Sequence, residues 1–366
     1  VPNGAPWQPG CGGGVAWGAA ICIMPWEFYQ HYGSIDMLED NFEAMKGYVR
    51  YLETWRRPDG VIHSQRRNGS GEVLRWFNLG EWVAPVELPP NELVHTFYFW
   101  RCADITARVA DILGEEEESA RFRMMANEAA EAFHSVFYDA EVASYGNYGG
   151  NIFALRMGVP EDRRDLVINT LRENIQSNAG HFDTGIFGTR FFFEVLTQHG
   201  MHDLAYQAIT KREEPSFGRW LELGATTARE RWDEGGSHNH PMFGGGLVWL
   251  YRYLAGMQID EQQPGYRRLV FKPHPVEALS HVKYENQTPY GASGISWRST
   301  NEAFEMSVTV PVGAEATVFV PSATDQQVVV DGERQLPSDI QSAGRADNYS
   351  IFHVGSGVYH FSVDGD

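Results

Sequence analysis

The chain has 366 residues, 43% of them hydrophobic and 13% aromatic, with 29 basic and 48 acidic side chains and a formal net charge of -19. That length allows two domains with a large buried core, and the aromatic content excludes a disordered chain. The acidic balance speaks against a nucleic-acid partner or an anionic membrane, because phosphate binding needs a basic face, and a neutral substrate fits better.

No apolar run reaches the roughly 18 residues that span a bilayer. The opening VPNGAPWQPGCGGG lacks an initiator Met and the charged-then-apolar build of a signal peptide, so the chain is expected to be a piece of a longer protein. Composition leaves cytoplasmic, periplasmic and secreted locations open. Three cysteines (Cys11, Cys22, Cys102) show no metal or redox spacing and read as unpaired thiols, with Cys22 and Cys102 as small core residues.

In chain order, Val15 to Tyr32 reads as a largely buried helix with Pro25 at a kink or local start, closed by Gly33. Ser34 is expected to cap a second helix, in which Met37, Leu38, Phe42, Met45, Val49 and Leu52 fall at three- and four-residue steps. A polar loop leads to Trp76–Trp82. Two plain helices follow, Leu93–Leu113 and Glu118–Tyr138, joined through Gly114 and an acidic first turn that suits the helix dipole. Shorter helices are predicted over Asn151–Met157, Asp162–Ser177, Gly188–Gln198, His202–Thr210 and Leu247–Ala255. Between them run irregular Gly/Trp-rich loops at 79–91, 143–150, 178–188 and 213–246. Loops of this length among helices are expected to be functional. Helix pairs whose loops gather at one end describe an α/α toroid better than a bundle, and no fixed-period repeat supports a solenoid.

From about residue 262 the pattern becomes short β-like runs with DG and SG punctuation, such as FEMSVTV, ATVFV and GVYHFSV. The expected organisation is therefore a helical toroid over 1–260 and a small antiparallel β-sandwich over 261–366. Pro311 and Pro321 should sit at strand ends or edges.

The stretch GATTARERWDEGGSHNHPMFGGG, residues 224–246, has no clean helical or strand period and reads as a loop carrying chemistry. Glu230 lies between Arg229 and Arg231 and two residues before Trp232, so its neighbours favour the ionised form expected of a general base. His238 and His240 lack further ligands at metal spacing and read as hydrogen-bonding groups, with no metal or cofactor implied. The 11 Trp, 16 Tyr and 21 Phe could serve sugar stacking as well as core packing.

The order WGAA…PWEFY, LGEW…LVHT, HFDTGIFGTRFFFEVL, PSFGRWLELGATTARERWD…NHPMFG…WLYRYLAG and PGYRRLVFKPHP…TPYG…W resembles the bacterial α-L-rhamnosidases of glycoside hydrolase family 78 over nearly the whole chain. The resemblance implies an (α/α)6 catalytic barrel with a C-terminal β-sandwich, and cleavage of terminal α-L-rhamnose with inversion and without a catalytic metal. It implies Glu230 as the base, Trp82 as an aromatic wall of the sugar pocket and His240 as a ligand of sugar hydroxyls. Glu81, Trp17 and Trp232 join them as substrate-binding candidates. The family's general-acid motif, which precedes the WG…PW region, is not in this sequence, so the acid and the first barrel helices are expected outside the chain. Ala19, Glu81 and Arg229 depart from the usual Asp, Asp and Trp, which bears on rhamnose specificity. The rival readings are an α/α-barrel enzyme acting on another sugar, such as an unsaturated uronide, and a non-catalytic carbohydrate-binding protein. The sequence does not fix the oligomeric state.

Overall fold

The computed structural model describes residues 14–63, 69–72, 78–324, 326–333, 335 and 340–364; Cys11 and Trp76 lie outside them. By internal packing the chain divides into two units. One comprises Val1–Glu27, Ile35–His199 and Leu204–Gly246, and the other Phe28–Ser34, Gly200–Asp203 and Leu247–Asp366.

The first unit is helical. Its helices are α1 (Val15–Gly18), α2 (Ala20–Tyr32, continuing into the second unit), α3 (Asp36–Glu53), α4 (Asn91–Leu113), α5 (Glu116–Phe137), α6 (Tyr148–Met157), α7 (Glu161–Ser177), α8 (Ile186–Gln198), α9 (His202–Thr210, its first two residues in the second unit) and α10 (Phe217–Glu222). Burial separates two kinds. Helix α6 buries every residue from Tyr148 to Leu155, and α8 buries nearly all of its length. Helix α7 buries only the stripe Val167, Ile168, Leu171 and Ile175. A helix apolar all round is surrounded by protein, whereas a single stripe faces a core on one side. Helices α4, α6 and α8 therefore form an inner row, with α3, α5 and α7 outside it. Phe97, Phe153 and Phe191, one from each inner helix, meet with ring centroids 4.9, 5.5 and 6.3 Å apart.

Differences from expectation have local causes. Helix α1 stops at Gly18, and Pro25 lies inside α2. Ile35 rather than Ser34 occupies the N-cap of α3, with no side-chain cap. Gly114 ends α4 in the left-handed conformation as anticipated (φ 75°). The 213–246 loop contains α10, capped by Ser216 Oγ, which accepts from Arg219 N at 2.9 Å. The predicted helix at Leu247–Ala255 forms over 248–254, passing from α-helical at 248–249 to π-helical at Leu250–Leu254, and a 3₁₀ turn at Pro241–Leu247 leads into it. Glycines explain the tighter turn, since a Cβ on Gly245 would lie 2.9 Å from Arg190 Cδ and one on Gly246 2.8 Å from Phe193 Cε2.

The second unit carries two five-stranded sheets. Its strands are β1 (Met257–Ile259), β2 (Arg268–Phe271), β3 (His281–Thr288), β4 (Gly291–Ser299), β5 (Ala303–Val310), β6 (Glu315–Pro321), β7 (Val328–Val330), β8 (Ile340–Ala346), β9 (Tyr349–Val354) and β10 (Gly357–Asp364). The sheet orders are β1-β2-β6-β9-β8 and β3-β4-β5-β10-β7. Inward residues alternate along the strands, as in Met306, Val308 and Val310 of β5 or Tyr359, Phe361 and Val363 of β10. Phe352 and Phe361 join the two sheets at 5.4 Å. The pairing is antiparallel except between β2 and β6, which run parallel. The chain enters the other sheet for β3 to β5 before β6 returns beside β2, so two strands not joined by a hairpin can share a direction. Strand β1 precedes the boundary expected at 261. Pro321 ends β6 and Pro311 follows β5, at strand ends where a missing N–H costs little. Among the described residues no helix is long and apolar enough to cross a membrane.

Candidate active site

The four irregular loops meet. The Asp183 carboxylate accepts from Val86 N at 2.7 Å and from Glu87 N at 3.3 Å, tying loop 178–188 to loop 79–91. Asn147 caps α6 through Gly150 N and donates from Nδ2 to Glu87 O at 3.2 Å. Tyr148 donates its hydroxyl to His181 O at 3.1 Å, and His181 Nδ1 lies 3.2 Å from Pro215 O. Three of these loops lead into the N-termini of α4, α6 and α8, so the junction stands at one end of the inner row. Burial pushes the Asp183 carboxyl up, against the two backbone N–H groups that it accepts from.

Glu81 sits at the centre of this junction and is 1% exposed. Its Oε1 accepts from Trp82 N at 3.0 Å and Phe187 N at 2.9 Å, and its Oε2 from Gly188 N at 2.7 Å. Phe187 and Gly188 are in the first turn of α8, whose leading N–H groups have no partner within the helix. The carboxylate thus caps a helix more than 100 residues ahead in sequence. Ile186 N also donates to Trp82 O at 3.0 Å, so the backbone at 81–82 is fixed from both sides. The fit depends on two missing side chains. A Cβ on Gly185 would lie 2.3 Å from Trp82 O, and one on Gly188 would lie 3.1 Å from Glu81 Oε2.

Burial pushes the Glu81 carboxyl up to about 7, with the three backbone N–H groups pulling the other way. A carboxyl whose folded pKa exceeds its unfolded value holds more protons when folded, so its contribution to stability is present at low pH and is lost as pH rises through the window from about 4.5 to about 7. Glu81→Gln cannot titrate. The stability advantage of wild type over Glu81→Gln is expected to shrink by the order of 3 kcal/mol between pH 4.5 and 7.5, measured by denaturant unfolding at each pH. A constant difference across that range would remove Glu81 as the titrating group.

Loop 213–246 is anchored by aromatic packing. Trp232 is 5% exposed and stacks on Trp220 at 4.2 Å and 14°. It also meets Phe243 at 4.3 Å, Phe182 at 4.9 Å and Phe217 at 5.5 Å. This cluster holds the two ends of a hairpin-like excursion. His240 N donates to Ala228 O at 2.8 Å and Glu230 N to Ser237 O at 2.9 Å. The tip turns through Glu234 and Gly236, at φ 63° and 72°. Gly236 leaves room for the carboxylate, because a Cβ there would lie 2.7 Å from Glu230 Oε2.

Glu230 is half-buried. Its Oε2 accepts from Ser237 N at 2.8 Å, whereas no donor among the described residues reaches its Oε1. The flanking arginines do not pair with it as the sequence suggested. Arg231 makes a two-pronged contact with Asp233 at 2.9 and 2.6 Å and holds that carboxyl down to about 2. Arg229 points into protein, 7% exposed, with Nη1 3.8 Å from Glu234 Oε2. Arg231 nonetheless stays within electrostatic reach of Glu230, and both side chains lie against Gly236.

The structure therefore gathers the candidates in two groups. Glu81, Trp82 and Trp17 belong to the N-terminal end of α8, where Trp17 meets Phe187 edge-on at 4.7 Å. Glu230, His240 and Trp232 belong to the hairpin and its aromatic base, and Phe182, just ahead of α8, touches Trp232. Trp17, Trp82 and His240 are half-buried. His240 Nε2 lies 2.9 Å from Met242 Sδ, and His238 Nε2 lies 3.1 Å from Glu234 O. Glu81 and Trp232 have their surroundings filled by backbone amides and by rings respectively. Sequence reasoning missed Asp183, Gly185 and Gly188. Their signal was the DTGIFG run, in which two glycines three apart straddle the start of a helix, Gly185 at its N-cap and Gly188 in its first turn.

An inner row of helices whose leading loops join in one polar and aromatic junction is the architecture of a helical-hairpin domain. The model of the bacterial alpha-L-rhamnosidase 6 hairpin glycosidase domain matches residues 1–254, and that of the bacterial alpha-L-rhamnosidase C-terminal domain matches residues 256–335. The chain belongs to the bacterial α-L-rhamnosidase family. It is 29% identical to an α-L-rhamnosidase of Streptomyces avermitilis over 377 residues, covering 98% of this chain and 34% of that protein. An α-L-rhamnosidase of an Alteromonas species is 28% identical over 346 residues, 88% of this chain and 36% of the relative. The solved α-L-rhamnosidase of Dictyoglumus thermophilum superposes with a TM-score of 0.84 at 32% identity, covering 96% of this chain and 40% of that one. The S. avermitilis structure in complex with L-rhamnose gives 0.83 at 26% identity, covering 97% and 33%. The chain thus spans about a third of the length of the curated relatives it matches.

Proposed function

We propose that this chain supplies the base-bearing part of a glycoside hydrolase that releases terminal α-L-rhamnose from glycans or glycosides with inversion of configuration. The observation that carries the reading is the Glu230 carboxylate, oriented through one oxygen by Ser237 N while the other has no donor among the described residues. In an inverting glycosidase one carboxylate activates a water on the face opposite the leaving group, and the second carboxyl stands ~6.5–9.5 Å away to leave room for it. A base needs an oxygen open to that water and a fixed orientation. Glu230 has both. No residue of this chain is assigned as the general acid.

In this reading Trp82 offers an indole to the apolar face and methyl group of a deoxy sugar, and His240 a ring nitrogen to its hydroxyls. The Glu81 carboxylate acts through the backbone, holding Trp82 against α8. Trp17 contributes to the same wall through Phe187, and Trp232 supports the Glu230 hairpin from beneath. Removing an aromatic wall weakens binding of ground and transition states alike, so Trp82→Ala in the full-length protein is expected to raise KM for an aryl α-L-rhamnoside about tenfold with kcat little changed. Unchanged KM would take Trp82 out of the pocket.

A further inference from the structure

The sandwich-bearing unit holds a second concentration of rings and polar groups that the proposed reaction does not use. Tyr251 of the π turn, Tyr266 of the loop before β2 and Tyr284 of β3 border a shallow open dish. Tyr251 and Tyr284 stack at 5.4 Å and 18°. His31, at the end of α2, approaches Tyr266 edge-on at 6.1 Å, and Asn286 Nδ2 donates to the Tyr266 hydroxyl at 3.4 Å.

The dish is a built feature. Gly265 N donates to Gln30 O at 2.8 Å, and a Cβ on Gly265 would lie 3.0 Å from Gly33 Cα. Two glycines thus let the end of α2 touch the loop, which places His31 beside Tyr266. Tyr266 itself has φ 63°, a left-handed conformation that a bulky residue adopts only where its surroundings impose it. Tyr284 and Asn286 are two apart on β3 and share a face. That face belongs to an edge strand, so it is flanked by another strand on one side only.

Among the described residues no Asp or Glu lines the dish and Arg252 is its one permanent cation, in a chain whose net charge is -19. Its lining offers flat rings, hydroxyl, amide and imidazole groups that can each give or take a hydrogen bond, and the Arg252 guanidinium, which can donate to a sugar hydroxyl. A pyranose matches that set, with a C–H face to lay on a ring and a girdle of hydroxyls. The opening is small and shallow, so it offers a face to one ring of a glycan and not to several.

We propose that the dish formed by Tyr251, Tyr266, Tyr284 and Asn286 is a non-catalytic binding site for one neutral sugar residue of a glycan. The choice of a sugar rests on the glycosidase reading, whereas the site shares no residue with the Glu230 region. It would hold a polymeric substrate to the enzyme without touching the bond that is cleaved.

The test is retardation of the full-length protein in native gels containing a neutral rhamnose-bearing polysaccharide, with Kd taken from mobility against polymer concentration. Tyr284→Ala and Asn286→Ala are each expected to raise Kd about tenfold, the effect of losing one good contact, with kcat/KM on a small aryl α-L-rhamnoside unchanged. Asn286→Ala, which removes a half-buried amide at a sheet edge, guards against misfolding in the Tyr284 variant. Unchanged retardation in Asn286→Ala would overturn the proposal, as would retardation by polygalacturonate and not by the neutral polymer. Retardation that survives in a protein without rhamnosidase activity would keep this site and dismiss the catalytic reading instead.

Discussion

Replacing Glu230 with Gln in the full-length enzyme should lower turnover of an aryl α-L-rhamnoside by about 10²–10⁴, the usual contribution of general acid-base assistance. The amide keeps the shape of the side chain, and its oxygen can still accept from Ser237 N, the bond that orients the carboxylate at 2.8 Å. Only basicity is lost, so KM should stay within a fewfold of wild type. Added azide needs no base to attack the anomeric carbon and should restore turnover with formation of the β-glycosyl azide. Near-normal turnover would place the base elsewhere. Glu234, between Arg219 at 3.7 Å and Arg229 at 3.8 Å, would then be tested next, followed by Glu222.

The second large effect concerns Gly185. Its backbone is extended, at φ -80° and ψ -166°, so alanine is free to adopt the conformation and the cost comes from space alone. A methyl group there would sit 2.3 Å from Trp82 O and 2.5 Å from Glu81 Cδ. Neither neighbour can yield cheaply, because Trp82 O accepts from Ile186 N and the Glu81 carboxylate accepts three backbone N–H groups. Overpacking typically costs ~1–3 kcal/mol, and separating a buried carboxylate from its donors adds ~1–3 kcal/mol more. Gly185→Ala is expected to lose about 3–5 kcal/mol in denaturant unfolding. Gly244→Ala, where nothing lies within 4 Å of the added carbon, should change stability by less than about 0.5 kcal/mol. Equal losses in the two variants would show that the tight fit at Gly185 carries no energy.

The sequence made α4, α5 and α9 legible because each has a strong signal, an apolar period with Gly114 between the first pair. The strands were legible from alternation. Helix α10 was not, since its six residues are too few to display a period and only the Ser216 cap marks it. The parallel pairing of β2 and β6 joins segments more than 40 residues apart, and local pattern says nothing about such register.

At the site, the irregularity of residues 224–246 and the chemistry of Glu230 could be read directly. The partners of its arginines could not, because nearness in sequence suggested ion pairs that the hairpin's geometry redirects to Asp233 and Glu234. Glu81 carries the same lesson. A carboxylate beside a Trp in an LGEW loop suggested sugar binding, and its three donors come from its own neighbour and from a helix more than 100 residues away.

The central claim is that Glu230 belongs to a rhamnosidase that inverts configuration. Proton NMR of the full-length enzyme acting on an aryl α-L-rhamnoside, recorded faster than the free sugar mutarotates, tests it directly. Water delivered from the face opposite the leaving group predicts that the β anomer of L-rhamnose appears first and the α anomer only later. First appearance of the α anomer, or no release of rhamnose at all, would contradict the account.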